Sequence, residues 1–202
     1  MTVVYLSEIS RYDGRISLLE EGMSDDILTH CKRHQNEQDY QASLLAFNVL
    51  NQALKQQGID VNTYSLSYQE NNKPYFPNMP YHFNISHSGD IVAVCISNFE
   101  VGIDVELIDT TRDFDALASR YFGKREKEDY HHAIDKIETF YKTWTKKEAF
   151  HKHVGDGFSL DTFAKDLPYG DIYTTKLSDN AGRMYSLSVD SIDNERINIM
   201  VI

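Results

Sequence analysis

Two acidic residues in the segment 101–107 have a spacing that suits a cation site. The segment reads Val-Gly-Ile-Asp-Val-Glu-Leu, so apolar residues alternate with a glycine and two acids. This period of two predicts a strand, from which Asp104 and Glu106 project on the same side. Two carboxylates at that distance repel each other unless a cation or a shared proton lies between them. The spacing therefore indicates a site for a cation or for a shared proton.

A third acid, Glu148, lies in a segment with helical spacing. Apolar residues recur before it at Ile134, Ile137, Tyr141 and Trp144. Glu148 takes the next position on that core-facing stripe, and Lys152 lies one turn later on nearly the same face. Three carboxylates from two elements suit magnesium, which takes oxygen ligands and completes its shell with water and substrate phosphates. A lysine beside them suits a phosphate oxygen or a leaving group.

The same residues have a simpler interpretation. Acids that alternate along a half-exposed strand are commonly solvated, and a Glu–Lys pair four residues apart is common on the surface of a helix. The spacing alone leaves both interpretations open.

Hydrophobic periodicity predicts the elements that position these residues. Strands are predicted at residues 2–6, 63–68, 91–97, 101–107, 171–177, 184–189 and 197–202, and a short strand is predicted around Phe83 and Ile85 that ends at Ser86 and His87. One helix is predicted to begin at Ser24, a second to cover residues 39–57 and stop at Gly58, and the helix with Glu148 to end near Val154. The short turn after residue 97 predicts a hairpin of strands 91–97 and 101–107.

Composition restricts the class of protein. In 202 residues, 41% are hydrophobic and 25% are charged, as in ordinary globular proteins. The formal net charge of -11 argues against a nucleic-acid partner. No apolar run approaches the roughly 18 residues of a membrane span, and the first residues lack the pattern of a signal peptide. Cys31 and Cys95 are interpreted as free thiols in a reducing cytoplasm.

Four motifs carry a resemblance to a known family. Residues 102–106 (Gly-Ile-Asp-Val-Glu) and 144–152 (Trp-Thr-Lys-Lys-Glu-Ala-Phe-His-Lys) resemble the two signature motifs of the 4'-phosphopantetheinyl transferases. Residues 73–77 (Lys-Pro-Tyr-Phe-Pro) and 82–89 (His-Phe-Asn-Ile-Ser-His-Ser-Gly) resemble further motifs of the Sfp-type branch. The resemblance implies Mg²⁺-dependent transfer of the 4'-phosphopantetheine moiety of coenzyme A to a serine of an apo acyl or peptidyl carrier protein, with release of adenosine 3',5'-bisphosphate.

The resemblance also implies roles for individual residues. Asp104, Glu106 and Glu148 are expected to hold Mg²⁺. Glu148 is also the expected base for the carrier serine, Lys152 the group that assists the leaving nucleotide, and His87 a ligand of the pyrophosphate. The residues expected to bind coenzyme A are Lys32, Arg33, Lys73, Pro74, Ser86, His87, Asp104, Lys147 and Lys152. Gln41 stands where family members often carry a basic residue, which leaves the contact to the 3'-phosphate open.

The carrier protein is expected to dock on residues 120–125. The expected docking residues are Arg120, Tyr121, Phe122, Lys124 and Arg125. An aromatic residue would be the apolar anchor and the three cations would orient the carrier. The alternative is that both aromatics pack in the core and the cations are solvated, and the sequence does not separate the two.

The fold class that the resemblance implies is α+β, a pseudo-twofold pair of similar subdomains with the active site between them. Residues 1–100 would form the coenzyme A-binding half, and residues 101–202 would carry the magnesium site and the carrier docking surface. A chain that holds both halves is expected to act as a monomer in the cytoplasm. Two other functions stay open: a metal-dependent nucleotide pyrophosphatase or phosphotransferase with the same carboxylates, and a non-catalytic relative that binds carrier proteins.

Overall fold

The fold combines two principal β-sheets with helices, so the predicted α+β class is confirmed. The computed structural model describes residues 1–156, 159–168, 170–192 and 197–202. The strands are β1 (Thr2–Glu8), β2 (Ser67–Tyr68), β3 (Pro74–Tyr75), β4 (His82–Ser88), β5 (Ile91–Ser97), β6 (Val101–Leu107), β7 (Tyr173–Ser178), β8 (Met184–Ser191) and β9 (Ile197–Val201). The helices are α1 (Asp25–Cys31), α2 (Glu37–Lys55), α3 (Phe114–Tyr121), α4 (Lys124–His132), α5 (Lys136–Val154) and α6 (Leu160–Phe163).

The first sheet has the strand order β4-β5-β1-β9, and the second has the order β6-β8-β7. In the first sheet β1 is antiparallel to β5 and parallel to β9, whereas the second sheet is antiparallel throughout. β5 is buried along its whole length and apolar from Ile91 to Ile96, because both of its faces are covered. Val92, Val94 and Ile96 pack with α2 in one core, and the alternate residues pack against the second sheet in another.

The predicted hairpin of β5 and β6 is wrong. Both edges of β5 are already paired, one with β1 and one with β4, while β6 pairs with β8. The turn at residues 98–100 therefore carries the chain from one sheet to the other. A strand that is apolar on both faces belongs in the interior of a sheet, and this property of β5 outweighs the short turn.

Three local predictions also need correction. Of residues 63–68, only Ser67 and Tyr68 form a strand, and Val61–Thr63 is a 3-10 turn. Ser86 and His87 lie within β4, not at its end, because β4 continues to Ser88 and turns at Gly89. Ile134 is exposed and precedes α5, whose N-terminus is capped by the Asp135 side chain.

Helix α5 is positioned by both of its ends and by one close approach. It ends at Val154, as predicted, with Gly155 in the left-handed conformation at φ 72°. In the middle, it lies directly on β6 at Gly102, where an added Cβ would be 1.9 Å from the carbonyl oxygen of Ala149. Because real atoms do not approach so closely, only glycine allows this contact. The glycine of the first motif thus brings the second motif into reach.

The proposed division of the chain at residue 100 stays a prediction. β9, from the second half of the sequence, adds to the sheet of the first half by pairing with β1. The two sheets also share an apolar core. Within the described residues, no helix is both long enough and apolar enough to cross a membrane.

Candidate active site

The two signature segments meet in a cleft between β4, β6 and α5. On β6, Val101, Ile103 and Val105 are buried in the apolar core between the sheets, so Asp104 and Glu106 project from the opposite face, toward α5. This confirms the alternation that the sequence predicted. Lys152 reaches the same cleft from α5, and its Nζ lies 2.6 Å from Asp104 Oδ1.

Asp104 is the most enclosed of the acids. It is 3% exposed, and its Oδ1 accepts hydrogen bonds from Ser86 Oγ at 2.9 Å and from Lys152 Nζ at 2.6 Å. Burial raises the pKa of this carboxyl and outweighs the lowering by Lys152. Its other oxygen, Oδ2, is buried and has no hydrogen-bond partner among the residues that the structure describes.

The other two carboxyls are affected in the same direction. Burial, together with the neighbouring charge of Asp104, raises the pKa of Glu106 to about 7 and that of Glu148 to about 7. Burial lowers the pKa of Lys152, but the charges of Asp104 and Glu148 outweigh it and the pKa is raised. The cleft therefore holds more negative charge than Lys152 can balance when all three acids are ionised.

The chemistry of these donors fits a hard divalent cation. A buried carboxylate oxygen without a donor, such as Asp104 Oδ2, is costly unless a proton or a cation satisfies it. Oxygen ligands with an excess of negative charge suit Mg²⁺. Over the described ranges of the chain, however, no three His, Cys, Asp or Glu residues are arranged closely enough to enclose an ion as they stand. The donor types fit, and side-chain adjustment would have to complete the site.

A pocket of about 260 Å³ opens beside the carboxylates. Its lining residues are Asn71, Asn72, Lys73, Pro74, Asn84, Ile85, Glu148, His151 and Lys152. A second pocket, of about 290 Å³, shares Lys73 and Pro74 with the first and continues along residues 74–83. Two neighbouring pockets of this size suit an extended ligand that contacts both, because cofactor sites typically occupy ~300–1,000 Å³.

Lys73 lines both pockets, but its ammonium is already engaged. Nζ lies 3.2 Å from Glu100 Oε2 and donates to the carbonyl of Val101 at 2.9 Å. The side chain is largely buried. Two of the three N–H donors of the Lys73 ammonium thus have protein partners, which leaves at most one for a phosphate while Glu100 stays bound.

Lys147 is buried in the protein, although the resemblance implied that it contacts coenzyme A. Its side chain is 0% exposed, and Nζ bonds to Glu126 Oε2 at 2.7 Å and to the carbonyl of Lys165 at 2.6 Å. Successive residues of an α-helix are rotated by about 100°, so Lys147 points away from the face that carries Glu148 and Lys152. The expected contact of Lys147 with coenzyme A is therefore not supported. Its ammonium instead links α5 to α4 through the ion pair with Glu126.

The basic residues after α1 lie near the start of α2. Arg33 stacks on the ring of Tyr68 at 4.4 Å, and Lys32 is the exposed C-cap of α1. Burial lowers the pKa of His87, with smaller influences from Asp39 and His34. Because side chains alternate along a strand, His87 projects from the opposite face of β4 from Ser86. Because β4 is an edge strand, a ligand along its free edge can reach both faces.

The segment expected to bind the carrier is partly core. Phe122 is 0% exposed and packs against Phe140 and Tyr130, so it cannot be a surface anchor, and that expectation is corrected. Tyr121 is half-buried, beside Trp144 and under the guanidinium of Arg120 at 5.2 Å. It remains the candidate anchor.

Of the two remaining cations in this segment, one is exposed and the other is hydrogen-bonded to the protein backbone. Lys124 is exposed, whereas Arg125 donates to the carbonyl of Leu167 at 2.8 Å. Lys124 and Arg120 are therefore the cations best placed to meet a partner.

Two residues of the cleft, Asn84 and Ser88, were not predicted from the sequence. They lie on the same face of β4 as Ser86 and hydrogen-bond across to β6, with Ser88 Oγ donating to Glu106 Oε2 at 3.1 Å. The signal was present in the alternation of polar and apolar residues at 83–88. It could not show which strand lay opposite.

Comparison with known proteins shows similarity to one family. The family model of the 4'-phosphopantetheinyl transferase superfamily matches residues 100–199. The 4'-phosphopantetheinyl transferase Sfp of Bacillus subtilis (strain 168) is 34% identical over 163 residues, which are 77% of this chain and 71% of the relative. A further 4'-phosphopantetheinyl transferase of Bacillus subtilis is 35% identical over 144 residues, 68% of this chain and 63% of that protein. AcpT of Escherichia coli (strain K12) is 41% identical over 92 residues, 44% of this chain and 47% of the relative.

Proposed function

The chain belongs to the 4'-phosphopantetheinyl transferase superfamily, and we propose on that basis that it transfers the 4'-phosphopantetheine moiety of coenzyme A to a serine of an apo acyl or peptidyl carrier protein. The other product would be adenosine 3',5'-bisphosphate. The relatives are longer than the matched segment, which covers 63% and 71% of the two Bacillus proteins. The activity is therefore carried to this chain as a proposal.

The observation that carries the proposal is the meeting of Asp104, Glu106, Glu148 and Lys152 beside a pocket. Three acids with raised pKa values and one ammonium are drawn from β6 and α5, which are distant in sequence. Strongly perturbed groups that converge in a cleft are typical of catalytic sites. Asp104 supports this further, because a purely structural ion pair with Lys152 would not leave its Oδ2 unsatisfied.

We assign Asp104, Glu106 and Glu148 as the residues that would hold Mg²⁺. Bound there, Mg²⁺ would supply charge neutralisation to the pyrophosphate of coenzyme A. Among these acids Glu148 is assigned a second role as the base, because it lines the pocket that the carrier serine would have to enter. A serine hydroxyl becomes an effective nucleophile only when such a base takes its proton.

The reaction forms one bond and breaks one. The carrier serine oxygen attacks the phosphorus that bears the pantetheine arm, and its proton passes to Glu148. The bond from that phosphorus to the bridging oxygen breaks, and adenosine 3',5'-bisphosphate leaves with the bonding electrons. Lys152 stabilises the charge that develops on the departing oxygen. His87, beside the edge of β4, is assigned to a phosphate oxygen.

The proposal extends to the whole chain. Residues 1–100 would bind the nucleotide, with Lys32, Arg33, Pro74 and Ser86 among the contacts, and residues 101–202 would hold the metal and receive the carrier. Both halves lie in one chain, so a monomer would suffice for activity. The proposed location is the cytoplasm.

Intact-mass measurement tests the proposal. Several apo carrier proteins are incubated with coenzyme A, MgCl₂ and the protein, and a mass gain of one phosphopantetheine group is expected on at least one carrier. The Asp104→Ala variant serves as the control and should lose the transfer by orders of magnitude. Coenzyme A that is cleaved equally well without any carrier would instead show a nucleotide pyrophosphatase, and no mass gain on any carrier would refute the transferase.

A further inference from the structure

Three polar side chains of β4 join the two sheets. Asn84, Ser86 and Ser88 lie on one face of β4, two residues apart. Asn84 Oδ1 accepts the backbone N–H of Ile103 at 2.9 Å, Ser86 Oγ that of Val105 at 3.3 Å, and Ser88 Oγ that of Leu107 at 3.0 Å. β6 is an edge strand, so these amides have no neighbouring strand to bind and need another acceptor.

The direction of these hydrogen bonds determines which further hydrogen bonds the two serine hydroxyls can form. A hydroxyl has one proton and two acceptor positions. Since Oγ accepts a backbone amide, its proton remains available for a second partner. In both serines that partner is a carboxylate of β6: Ser86 donates to Asp104 Oδ1 at 2.9 Å, and Ser88 donates to Glu106 Oε2 at 3.1 Å.

The two pairs therefore repeat one arrangement. Each serine lies 18 residues before its acid, because the facing strands hold the same offset along their length. Each carboxylate has one oxygen held by a hydroxyl. For Asp104 the second oxygen is left without a partner among the described residues, which is how a carboxylate that is oriented for a cation would look.

We propose that Ser88 is a positioning residue for the acidic site: it orients Glu106 toward the cation, as Ser86 orients Asp104. The inference rests on the proposed function for the identity of the reaction, but its core claim concerns the binding of a divalent cation. Groups that hydrogen-bond to ligating carboxylates hold them in the binding orientation, and their loss typically lowers metal affinity 10- to 100-fold.

A purely structural role is the rival explanation, because Ser88 also satisfies the amide of Leu107. Three variants separate the two. Ser88→Ala removes both bonds, and Ser88→Thr retains the hydroxyl in a residue that strands favour. The matched control is Ser7→Ala, which removes a strand hydroxyl that donates to the carbonyl of Ile202 at 3.0 Å, away from the acidic site.

The readout is the affinity for Mn²⁺, which serves as a spectroscopic probe for the Mg²⁺ position and is measured by electron paramagnetic resonance without coenzyme A or carrier. Urea unfolding of each variant runs in parallel. Ser88→Ala is expected to weaken Mn²⁺ binding about 10-fold or more, Ser88→Thr to restore most of it, and Ser7→Ala to leave it unchanged.

A double-mutant cycle isolates the pair. In a Glu106→Gln background, Ser88→Ala should have little further effect on Mn²⁺ affinity, because the residue it orients no longer ligates. Equal losses in both backgrounds would overturn the proposal. So would Ser88→Ala protein that binds Mn²⁺ as the unaltered protein does, or unaltered protein that binds no Mn²⁺ at all.

The same experiment keeps this inference separate from the proposed function. Unaltered protein that binds Mn²⁺ in a Ser88-dependent manner, yet transfers no phosphopantetheine to any carrier, would refute the transferase and support the role of Ser88. Normal transfer by Ser88→Ala at limiting Mg²⁺ would support the transferase and refute the role of Ser88.

Discussion

At the scale of single residues, burial makes the acids of the cleft unlike surface acids. Glu106 and Glu148 have pKa values of about 7, chiefly because of desolvation. Near neutral pH, each is therefore divided between its neutral and ionised forms. A carboxyl that changes its protonation state near the operating pH meets a requirement of general base catalysis.

Replacement of Glu148 should change the pH dependence of stability. The folded-state pKa of about 7 lies above the ordinary glutamate value of 4.5, so the favourable contribution of this group to the free energy of unfolding is present below pH 4.5 and is lost as pH rises through 7. In Glu148→Gln the side chain cannot ionise, so the free energy of unfolding does not fall for this reason as pH rises. Without metal, the variant should match the parent near pH 4 and exceed its free energy of unfolding above pH 8 by roughly 2–4 kcal/mol, since one pKa unit corresponds to about 1.4 kcal/mol.

Urea unfolding across that pH range, in the presence of a chelator, measures the difference. Glu128→Gln on α4 replaces an exposed acid and should show no comparable gain at high pH. A parent and a Glu148→Gln variant with parallel stability profiles would contradict the assigned pKa.

Lys152 is predicted to act on turnover more than on binding. Its ammonium bonds to Asp104 and Ser86 and would face the charge that develops on the leaving oxygen. Lys152→Ala should lower kcat about 100-fold or more, in line with the loss of a charge-stabilising group, with a smaller change in the KM for coenzyme A. Steady-state transfer assays measure both constants.

The exposed Lys142, on the same helix, provides the control, and Lys142→Ala should change neither constant. If Lys152 were only a structural partner of the buried Asp104, its removal would leave that carboxylate unpaired, so it would destabilise the protein and change kcat little. An unchanged kcat would therefore favour that simpler role.

At the scale of elements, the site depends on how closely α5 lies on β6. Gly102 permits this approach, since any Cβ would meet the Ala149 carbonyl at 1.9 Å and the His153 nitrogen at 2.5 Å. Both are backbone atoms and cannot rotate away. A side chain at this position would push α5, with Glu148 and Lys152, away from Asp104.

Gly102→Ala is therefore expected to destabilise the protein and impair the site. Overpacking of this kind typically costs ~1–3 kcal/mol. Gly170→Ala is the matched control, because a Cβ there meets nothing within 4 Å. Thermal unfolding and Mn²⁺ binding should both be weakened by the first change and unaffected by the second. Equal melting temperatures for the two variants would show that α5 shifts without cost.

At the scale of the whole molecule, charge opposes association with an acidic partner. The chain has a formal net charge of -11, so attraction to an acidic carrier must come from a local group of cations. Arg120 and Lys124 are exposed, and they flank the half-buried Tyr121 at the end of α3. These three residues form the candidate docking surface.

Charge reversal tests this surface. Arg120→Glu with Lys124→Glu should raise the KM for an acidic carrier severalfold, more strongly at low salt, and leave the KM for coenzyme A unchanged. Arg15→Glu, at an exposed position in another part of the chain, is the control. A change in the affinity for coenzyme A with unaltered carrier kinetics would place this segment over the nucleotide instead.

Several elements were determined by the sequence itself. The bounds of β5 and β6 and the end of α5 at Val154 agree with the predictions, because alternation and helical spacing are local properties that the chain carries along its length. The shared face of Asp104 and Glu106 follows from the same alternation. The four motifs also predicted the family without any structural information.

Tertiary structure alone decided which residues meet. β6 pairs with β8 and not with β5, Lys147 turns into a buried pair with Glu126, and Ser88 reaches Glu106 from a strand of the other sheet. Periodicity shows which face a residue occupies, but it contains no information on what lies opposite that face. The partner depends on the order of strands in each sheet and on the seating of α5 at Gly102, and these result from the packing of the whole core.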